Sequence, residues 1–135
     1  MGTEGKKPHG SFDYERSEYF ISFTGYGAWN EVTAMMLAET VKREASLFAG
    51  KPWGIIVDSR NWELCTPESW AIFEEARVHL SHHGLVCEAT VIDKVMLGNL
   101  MSENQHSSDV EYGFFKSHEE ASAWCKATVM KARET

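Results

Sequence analysis

The pattern of hydrophobic and polar positions changes from one segment of the chain to the next and predicts a succession of strands and helices. Residues 11–14 and 19–24 carry the aromatic and β-branched side chains typical of strands, and the polar residues 15–18 between them predict a hairpin turn. Gly25 and Gly27 follow directly, and we expect them to end the second strand.

The next block predicts a long helix that packs against a sheet. Asn30 is a favourable N-cap residue, and Gly50 with Pro52 predicts a helix end near residue 49. At about 100° per residue, the apolar positions of this segment fall on one stripe, which indicates a face buried against strands. The stripe contains Ala34, Leu37, Ala38, Val41, Ala45 and Phe48.

Two further pairs of strand and helix follow. Residues 53–58 predict a buried strand, and after a loop Thr66 and Pro67 predict the N-cap and first position of a helix that runs to about residue 83. Residues 87–92 predict the next strand, and residues 93–104 contain a short helix.

The end of the chain completes the pattern. Residues 111–116 predict a strand, and Ser117 with Glu120 forms a capping box at the start of a final helix. The order β-β-α-β-α-β-α-β-α predicts an α/β fold: a single mixed sheet of about five strands, parallel after the N-terminal hairpin, with helices packed on it. We assign residues 11–135 to one domain, and residues 1–10 to a leader that is disordered or left from expression cloning.

Composition narrows the classes of partner. The 13 basic and 20 acidic residues give a net charge of −7, which disfavours nucleic acid and anionic membranes. No apolar run is long enough to span a bilayer, and residues 1–10 lack the apolar centre of a signal peptide. The three cysteines show no CxxC pattern. We therefore expect a cytoplasmic protein with reduced thiols and without membrane insertion or a nucleic acid partner.

A binding site is expected at the carboxyl edge of the parallel strands, where α/β sheets hold their ligands. The segments that follow three of the predicted strands are rich in aromatic and flexible apolar residues: Tyr26, Trp29, Trp62, Met96, Leu97, Leu100 and Met101. Val32, Met35 and Met36 lie at the start of the first helix, outside its buried stripe. Asp58, which ends the strand before Trp62, is also predicted to belong to the binding edge. Three interpretations of these apolar residues are open. The protein's own short helix covers them, they contact a protein partner or a second copy, or they line a pocket for a small apolar ligand.

Few residues suggest catalysis. Cys65 precedes a helix N-terminus, where the helix dipole can lower the pKa of a thiol, and Asp58 and Asp93 each follow a strand, where paired carboxylates can form an acid/base or cation site. The histidines at the end of the second predicted helix do not require a bound metal to explain them, because the helix dipole favours histidine at that position. The sequence predicts no metal, no cofactor and no catalytic residue, so an enzyme is the less favoured class.

Four segments resemble the SpoIIAA-like, or STAS-like, domains, whose fold is related to that of the lipid-binding CRAL-TRIO domains. They are YFISFTG as an early strand, GIIVDSRNWEL as a strand and loop, CEATVID as a third parallel strand, and EYGFFKSHEEASAWC as the closing strand and helix. The resemblance covers about residues 11–127 and is to the uncharacterised bacterial branch of the group.

The resemblance implies possible functions. In anti-sigma factor antagonists of this group, a serine at the start of the second helix lies in an Asp-Ser-Ser-Gly type motif and is phosphorylated by a partner kinase. The corresponding stretch here is CTPES, which lacks the Asp and Gly and leaves Thr66 and Ser69 as the candidate phosphosites. The relation to CRAL-TRIO domains implies a lipid-like ligand.

The sequence therefore supports three hypotheses, in order of preference. The first is a non-enzymatic regulatory or protein-interaction module that docks a protein partner, or itself as a homodimer, through the apolar edge. The second is a carrier of a small apolar or lipid-like ligand. The third is an enzyme that uses Cys65 or Asp58.

Overall fold

The computed structural model describes residues 6–105 and 109–134 and has the α/β architecture expected from the sequence. Its strands are β1 (Ser11–Arg16), β2 (Phe20–Trp29), β3 (Trp53–Asp58), β4 (Trp62–Cys65), β5 (Leu85–Val91) and β6 (Glu111–Phe115). Its helices are α1 (Glu31–Ala45), α2 (Pro67–Ser81), α3 (Val95–Glu103) and α4 (His118–Glu134). A single 3₁₀ turn, Ser46–Phe48, follows α1.

The described strands form one mixed sheet in the order β1-β2-β3-β5-β6, and β4 pairs with the end of β2. The hairpin pair β1 and β2 is antiparallel, and every other pair is parallel. The predicted mixed sheet is therefore confirmed, with six strands in the described part of the chain where about five were expected.

The connections explain which face each helix covers. The chain steps from β2 to β3, β5 and β6 in one direction, so right-handed crossovers place α1, α2 and α3 on the same face. The core on that face contains residues of α1 and α2 together with Met101 of α3. α4 follows β6 and packs on the opposite face, against Ile56 of β3 and Cys87 of β5.

The prediction that Gly25 and Gly27 end the second strand is wrong. β2 continues through both glycines to Trp29, because its last residues gain a new partner when β3 ends. Gly27 adopts a φ of 74°, which favours glycine, and its N–H donates to Asn61 O at 3.0 Å. The loop after β3 therefore contains a short strand, β4, which extends the sheet beside the end of β2.

Two predicted capping side chains bond as expected, while Thr66 occupies the N-cap of α2 without a side-chain cap hydrogen bond. Asn30 Oδ1 accepts from Thr33 N at 3.3 Å, and Ser117 Oγ accepts from Glu120 N at 3.1 Å while donating to Glu120 Oε1 at 3.1 Å. The predicted N-terminal leader also contacts α1, since Asn30 Nδ2 donates to Lys7 O at 2.9 Å and Thr33 Oγ1 donates to His9 O at 2.6 Å. Residues 1–5 lie outside the described part of the chain.

The face under α4 is closely packed around two thiols. Cys87 of β5 and Cys125 of α4 are fully buried, with their Sγ atoms 3.5 Å apart. Gly54 of β3 lies beside them, and a Cβ atom there would lie 2.8 Å from Cys87 Sγ and in still closer contact with Cys125 Sγ. A residue without a Cβ is therefore required for α4 to approach β3.

We expect Gly54→Ala to lower the free energy of unfolding by about 1–3 kcal/mol, because the new methyl group overpacks the thiol pair. Urea unfolding followed by circular dichroism measures the change. Gly98→Ala in α3 is the matched control, since its Cβ would meet only Ile92 Cδ1, at 3.4 Å. Equal stability of Gly54→Ala and the wild type would contradict this account of the packing.

Candidate functional site

A cavity lies between the sheet and helices α1 and α2, with Met101 of α3 in its wall. The volume of the cavity is about 80 Å³, and it opens into a larger recess that is continuous with solvent. Ala38 of α1 and Ala76 of α2 face it from the helix side, and Gly25 of β2 and Ile55 of β3 face it from the sheet. Ala38, Ala76 and Gly25 leave space that larger side chains would fill.

Four aromatic rings form a closed cluster in the cavity wall. The ring centroids of Trp29 and Trp62 are 6.1 Å apart with an interplanar angle of 84°, and those of Trp62 and Trp70 are 5.7 Å apart at 90°. The centroids of Trp70 and Phe73 are 5.9 Å apart with an interplanar angle of 83°, and those of Phe73 and Trp29 are 6.1 Å apart at 61°. Each ring thus meets its two neighbours edge to face, which is a favourable aromatic geometry. We call these residues the four-ring cluster.

The local structure explains why these rings meet. Trp29 is the last residue of β2 and Trp62 the first of β4, and pairing of the two strands places both rings above Gly25. A Cβ at Gly25 would lie 3.2 Å from both Trp29 Cζ2 and Trp62 Cδ1. Trp70 and Phe73 occupy the first turns of α2 and are packed against the same core.

The polar groups at the carboxyl end of β3 form an ion pair. Asp58 Oδ1 accepts from Arg60 N at 3.1 Å and from Arg60 Nε at 3.0 Å, and Asp58 Oδ2 accepts from Arg60 Nη2 at 2.7 Å. Burial alone would raise the pKa of Asp58, but the hydrogen bonds and charge of Arg60 outweigh it and hold the pKa below its usual value. The hydrogen bond to Asp58 is the largest cause of the raised pKa of Arg60, to which the charge of Asp93 also contributes.

A second ion pair forms the inner wall of the cavity. Arg77 of α2 donates through Nε to Glu88 Oε1 at 2.8 Å and through Nη2 to Glu88 Oε2 at 3.3 Å. Arg77 Nη1 also donates to Glu74 Oε1 and to Asn104 O, each at 3.2 Å, and Gln105 Nε2 donates to Glu88 Oε2 at 3.2 Å. Burial would lower the pKa of Arg77, but the charge of Glu88 and its hydrogen bonds raise it, so the guanidinium stays charged.

The structure divides the predicted apolar edge into a buried part and an exposed part. Trp29, Trp62 and Met101 are buried and line the cavity. Met35 and Met36 are 42% and 48% exposed on α1, and Tyr26 is 37% exposed. Of the other predicted residues, Val32 and Leu100 are half-buried, while the side chains of Met96 and Leu97 in α3 lie outside the described part of the structure.

Sequence reasoning missed several residues of the cavity wall. Trp70, Arg77 and Glu88 line the cavity but were not singled out from the sequence. One signal was available, because a glutamate within the apolar strand CEATVI requires a buried partner. The sequence does not identify that partner as Arg77.

The environment of Cys65 disfavours a reactive thiolate. Burial raises the pKa of the Cys65 thiol to about 12, against a smaller lowering by the Ser69 hydrogen bond. Ser69 is fully buried, and its hydroxyl lies 2.8 Å from Thr66 Oγ1. The more accessible of the two candidate phosphosites is therefore Thr66, which is half-buried.

The described residues contain neither a metal-binding cluster nor a helix suited to a membrane. No group of three or more histidine, cysteine, aspartate or glutamate residues within 6–105 and 109–134 is placed to hold a metal ion. Over the same ranges, no helix has the length and apolar character that crossing a membrane requires.

The architecture defines the class of fold. A hairpin followed by parallel strands, with α1 to α3 on one face and α4 on the other, is the SpoIIAA-like fold, and the resemblance stated from the sequence is confirmed at this level. A crystal structure at 2.25 Å resolution of an uncharacterized protein of the DUF3478 family from Shewanella loihica PV-4, which has this fold, matches with a TM-score of 0.64. The match covers 92% of this chain and 99% of that chain at 12% sequence identity, so it shows the fold alone. No family model and no curated protein matches the sequence.

The Asp58–Arg60 pair predicts a pH-dependent stability. Because the pKa of Asp58 is lower in the folded state, its contribution is present above the unfolded pKa of about 3.9 and is lost as the pH falls through the folded pKa. We expect Asp58→Asn to lower the free energy of unfolding by about 1 kcal/mol at neutral pH, a value discounted because Arg60 is partly exposed.

Urea unfolding of the wild type and Asp58→Asn at pH 7 and pH 3 measures this effect. The difference between the two proteins should shrink at the lower pH, where the wild-type carboxyl group is increasingly protonated. Asp109→Asn, at an exposed aspartate, is the control and should have little effect at either pH. A difference that stays constant from pH 7 to pH 3 would rule out the carboxylate as its cause.

Proposed function

We propose that this SpoIIAA-like domain binds a small, largely apolar molecule in the cavity between the sheet and helices α1 and α2. The observation that carries the proposal is the four-ring cluster, which lines an unfilled space of about 80 Å³ that continues into a larger recess. Protein interiors are packed as closely as organic crystals, so unfilled space beside so many aromatic rings calls for an occupant.

The chemistry of the wall supports an apolar occupant. The side chains that face the space are mainly aromatic and aliphatic, and such cavities exclude water and take up apolar molecules. The space of about 80 Å³ is smaller than an engineered cavity of about 150 Å³ that binds benzene, so a ligand of benzene's size or larger would extend from it into the open recess. The polar residues Asp58 and Ser59 lie at the carboxyl end of β3, the position where α/β sheets bind ligands.

Toluene is a suitable probe, because it is apolar, compact and uncharged. We expect calorimetry to show saturable binding to the wild type, and a hundredfold excess over the dissociation constant to stabilise the fold by about 2.7 kcal/mol. Ala76→Leu, which adds a larger side chain to the cavity wall, should weaken toluene binding at least tenfold.

Ala71→Leu is the matched control, because it makes the same substitution on the exposed side of α2 and should leave toluene binding unchanged. Failure of the wild type to bind toluene, or equal binding by wild type and Ala76→Leu, would refute the cavity as the binding site. Circular dichroism of each variant separates loss of binding from loss of fold.

A second candidate function is self-association through α1. Met35 and Met36 are adjacent and nearly half-exposed, and flexible methionines adapt well to another protein surface. This candidate keeps the protein-interaction hypothesis and commits to a second copy of the chain as the partner. A phosphorylation switch at Thr66 and a location in the cytoplasm stay predictions from the sequence.

Sedimentation equilibrium tests self-association. We expect the wild type to form dimers and Met36→Glu to weaken the dimer at least tenfold, because a charge would be buried in the contact. Leu47→Glu is the control, since it places the same charge on an exposed apolar residue beyond the end of α1, and it should leave the dimer intact. A wild type that stays monomeric at high protein concentration would exclude this candidate.

A further inference from the structure

We infer that the molecule bound in the cavity is uncharged and carries a hydrogen-bond acceptor, such as a ketone or ester carbonyl oxygen, that accepts from Trp62 Nε1. This inference rests on the proposed function, since it names the chemical class of the ligand of the same cavity. It is carried by one unpartnered polar atom in the wall and by the pairing of every charged group beside it.

The unpartnered atom is the indole nitrogen of Trp62. The residue is only 5% exposed, and within the described part of the chain Trp62 Nε1 is buried without a hydrogen-bond partner. Two other buried tryptophans are satisfied: Trp29 Nε1 donates to Tyr26 O at 3.1 Å, and Trp53 Nε1 donates to His83 O at 2.9 Å. Since buried indole N–H groups usually find a partner, and Trp62 lines the cavity, its unpartnered N–H calls for an acceptor that the described residues do not supply.

No acceptor of the described wall residues lies within hydrogen-bond distance of Trp62 Nε1. The carboxylate of Asp58 is occupied by Arg60, and that of Glu88 by Arg77 and Gln105. Ser59 Oγ donates to Val91 O at 2.9 Å.

The same pairing argues against a charged ligand. Each charged side chain in the wall, Asp58, Arg77 or Glu88, already has a counter-ion within hydrogen-bond distance. A ligand charge would therefore be buried in an apolar space without a partner, which is strongly unfavourable. An uncharged ligand avoids that desolvation cost and can still satisfy Trp62.

A water molecule fits the position less well than a ligand acceptor does. A buried water needs two to four polar partners, whereas the neighbours of the Trp62 ring include Gly25 and the rings of Trp29 and Trp70, which offer few polar atoms. A carbonyl oxygen needs only the one donor, and the apolar body of the molecule can pack on the surrounding rings. A compact ketone or ester therefore matches both the polar atom and its surroundings.

Acetophenone and α-methylstyrene form a matched pair of probes, because they have nearly the same shape and differ in C=O against C=CH₂. Calorimetry would measure both with the wild type and with Trp62→Phe, which keeps an aromatic ring and removes the N–H. We expect Trp62→Phe to weaken acetophenone binding about fivefold more than it weakens α-methylstyrene binding, as a lost hydrogen bond predicts. Benzoate should bind the wild type at least tenfold more weakly than acetophenone.

Trp29→Phe is the control variant, since the Trp29 N–H already donates to Tyr26 and its loss should affect both probes equally. Equal losses of both probes in Trp62→Phe would overturn the acceptor inference while leaving the proposed function intact. Benzoate binding as tight as acetophenone binding would overturn the requirement for an uncharged ligand. Absence of binding by toluene and by both matched probes would refute the proposed function, and this inference with it.

A second measurement on the wild type decides the matter if Trp62→Phe does not fold. In protein labelled with ¹⁵N-tryptophan, saturating acetophenone should move one indole proton resonance downfield, and α-methylstyrene should not. Indole resonances that respond identically to the two probes would count against the hydrogen bond.

Discussion

The buried ion pair between Arg77 and Glu88 is the interaction on which the arrangement of the helical face depends. It joins α2 to the middle of β5, and its further hydrogen bonds reach Glu74 of α2 and, after the end of α3, Asn104 and Gln105. Two buried charges are stable only when geometry and hydrogen bonds compensate their desolvation, and loss of one partner of such a pair typically costs about 3–5 kcal/mol. The pair therefore fixes how α2 and α3 lie over the sheet, and with them the inner wall of the cavity.

The cavity arises because the two faces of the sheet are packed differently. At the α4 face, Gly54 allows close contact, and the core is filled by Cys87 and Cys125. On the other face, the Arg77–Glu88 pair sets the position of α2, while the four-ring cluster packs edge to face at the carboxyl end of the sheet. Small side chains at Ala38 and Ala76 leave the space between the ion pair and the four-ring cluster unfilled. The site is thus apolar in its walls and neutral in its charges.

Much of the fold could be predicted because its signals are local. Asn30 and the Ser117–Glu120 box mark helix starts through contacts three residues apart, and alternating strands and helices fix the order of the sheet. The candidate site was only partly predictable, because it depends on long-range pairing. Trp62 becomes buried only when β4 pairs with the end of β2, and the sequence of a four-residue strand is too short to predict that pairing. Periodicity likewise placed Met36 and Trp29 at one edge but could not show that Trp29 turns inward while Met36 faces solvent.

The hairpin strand β1 also determines how two molecules can meet. It covers β2 from Ile21 to Tyr26, and its own outer edge carries the charged residues Asp13, Glu15 and Arg16, which are exposed. Charges on an edge strand discourage the addition of a strand from another chain, and with it the growth of an aggregate by continuous backbone pairing. This margin of the sheet is consequently protected against intermolecular β-extension.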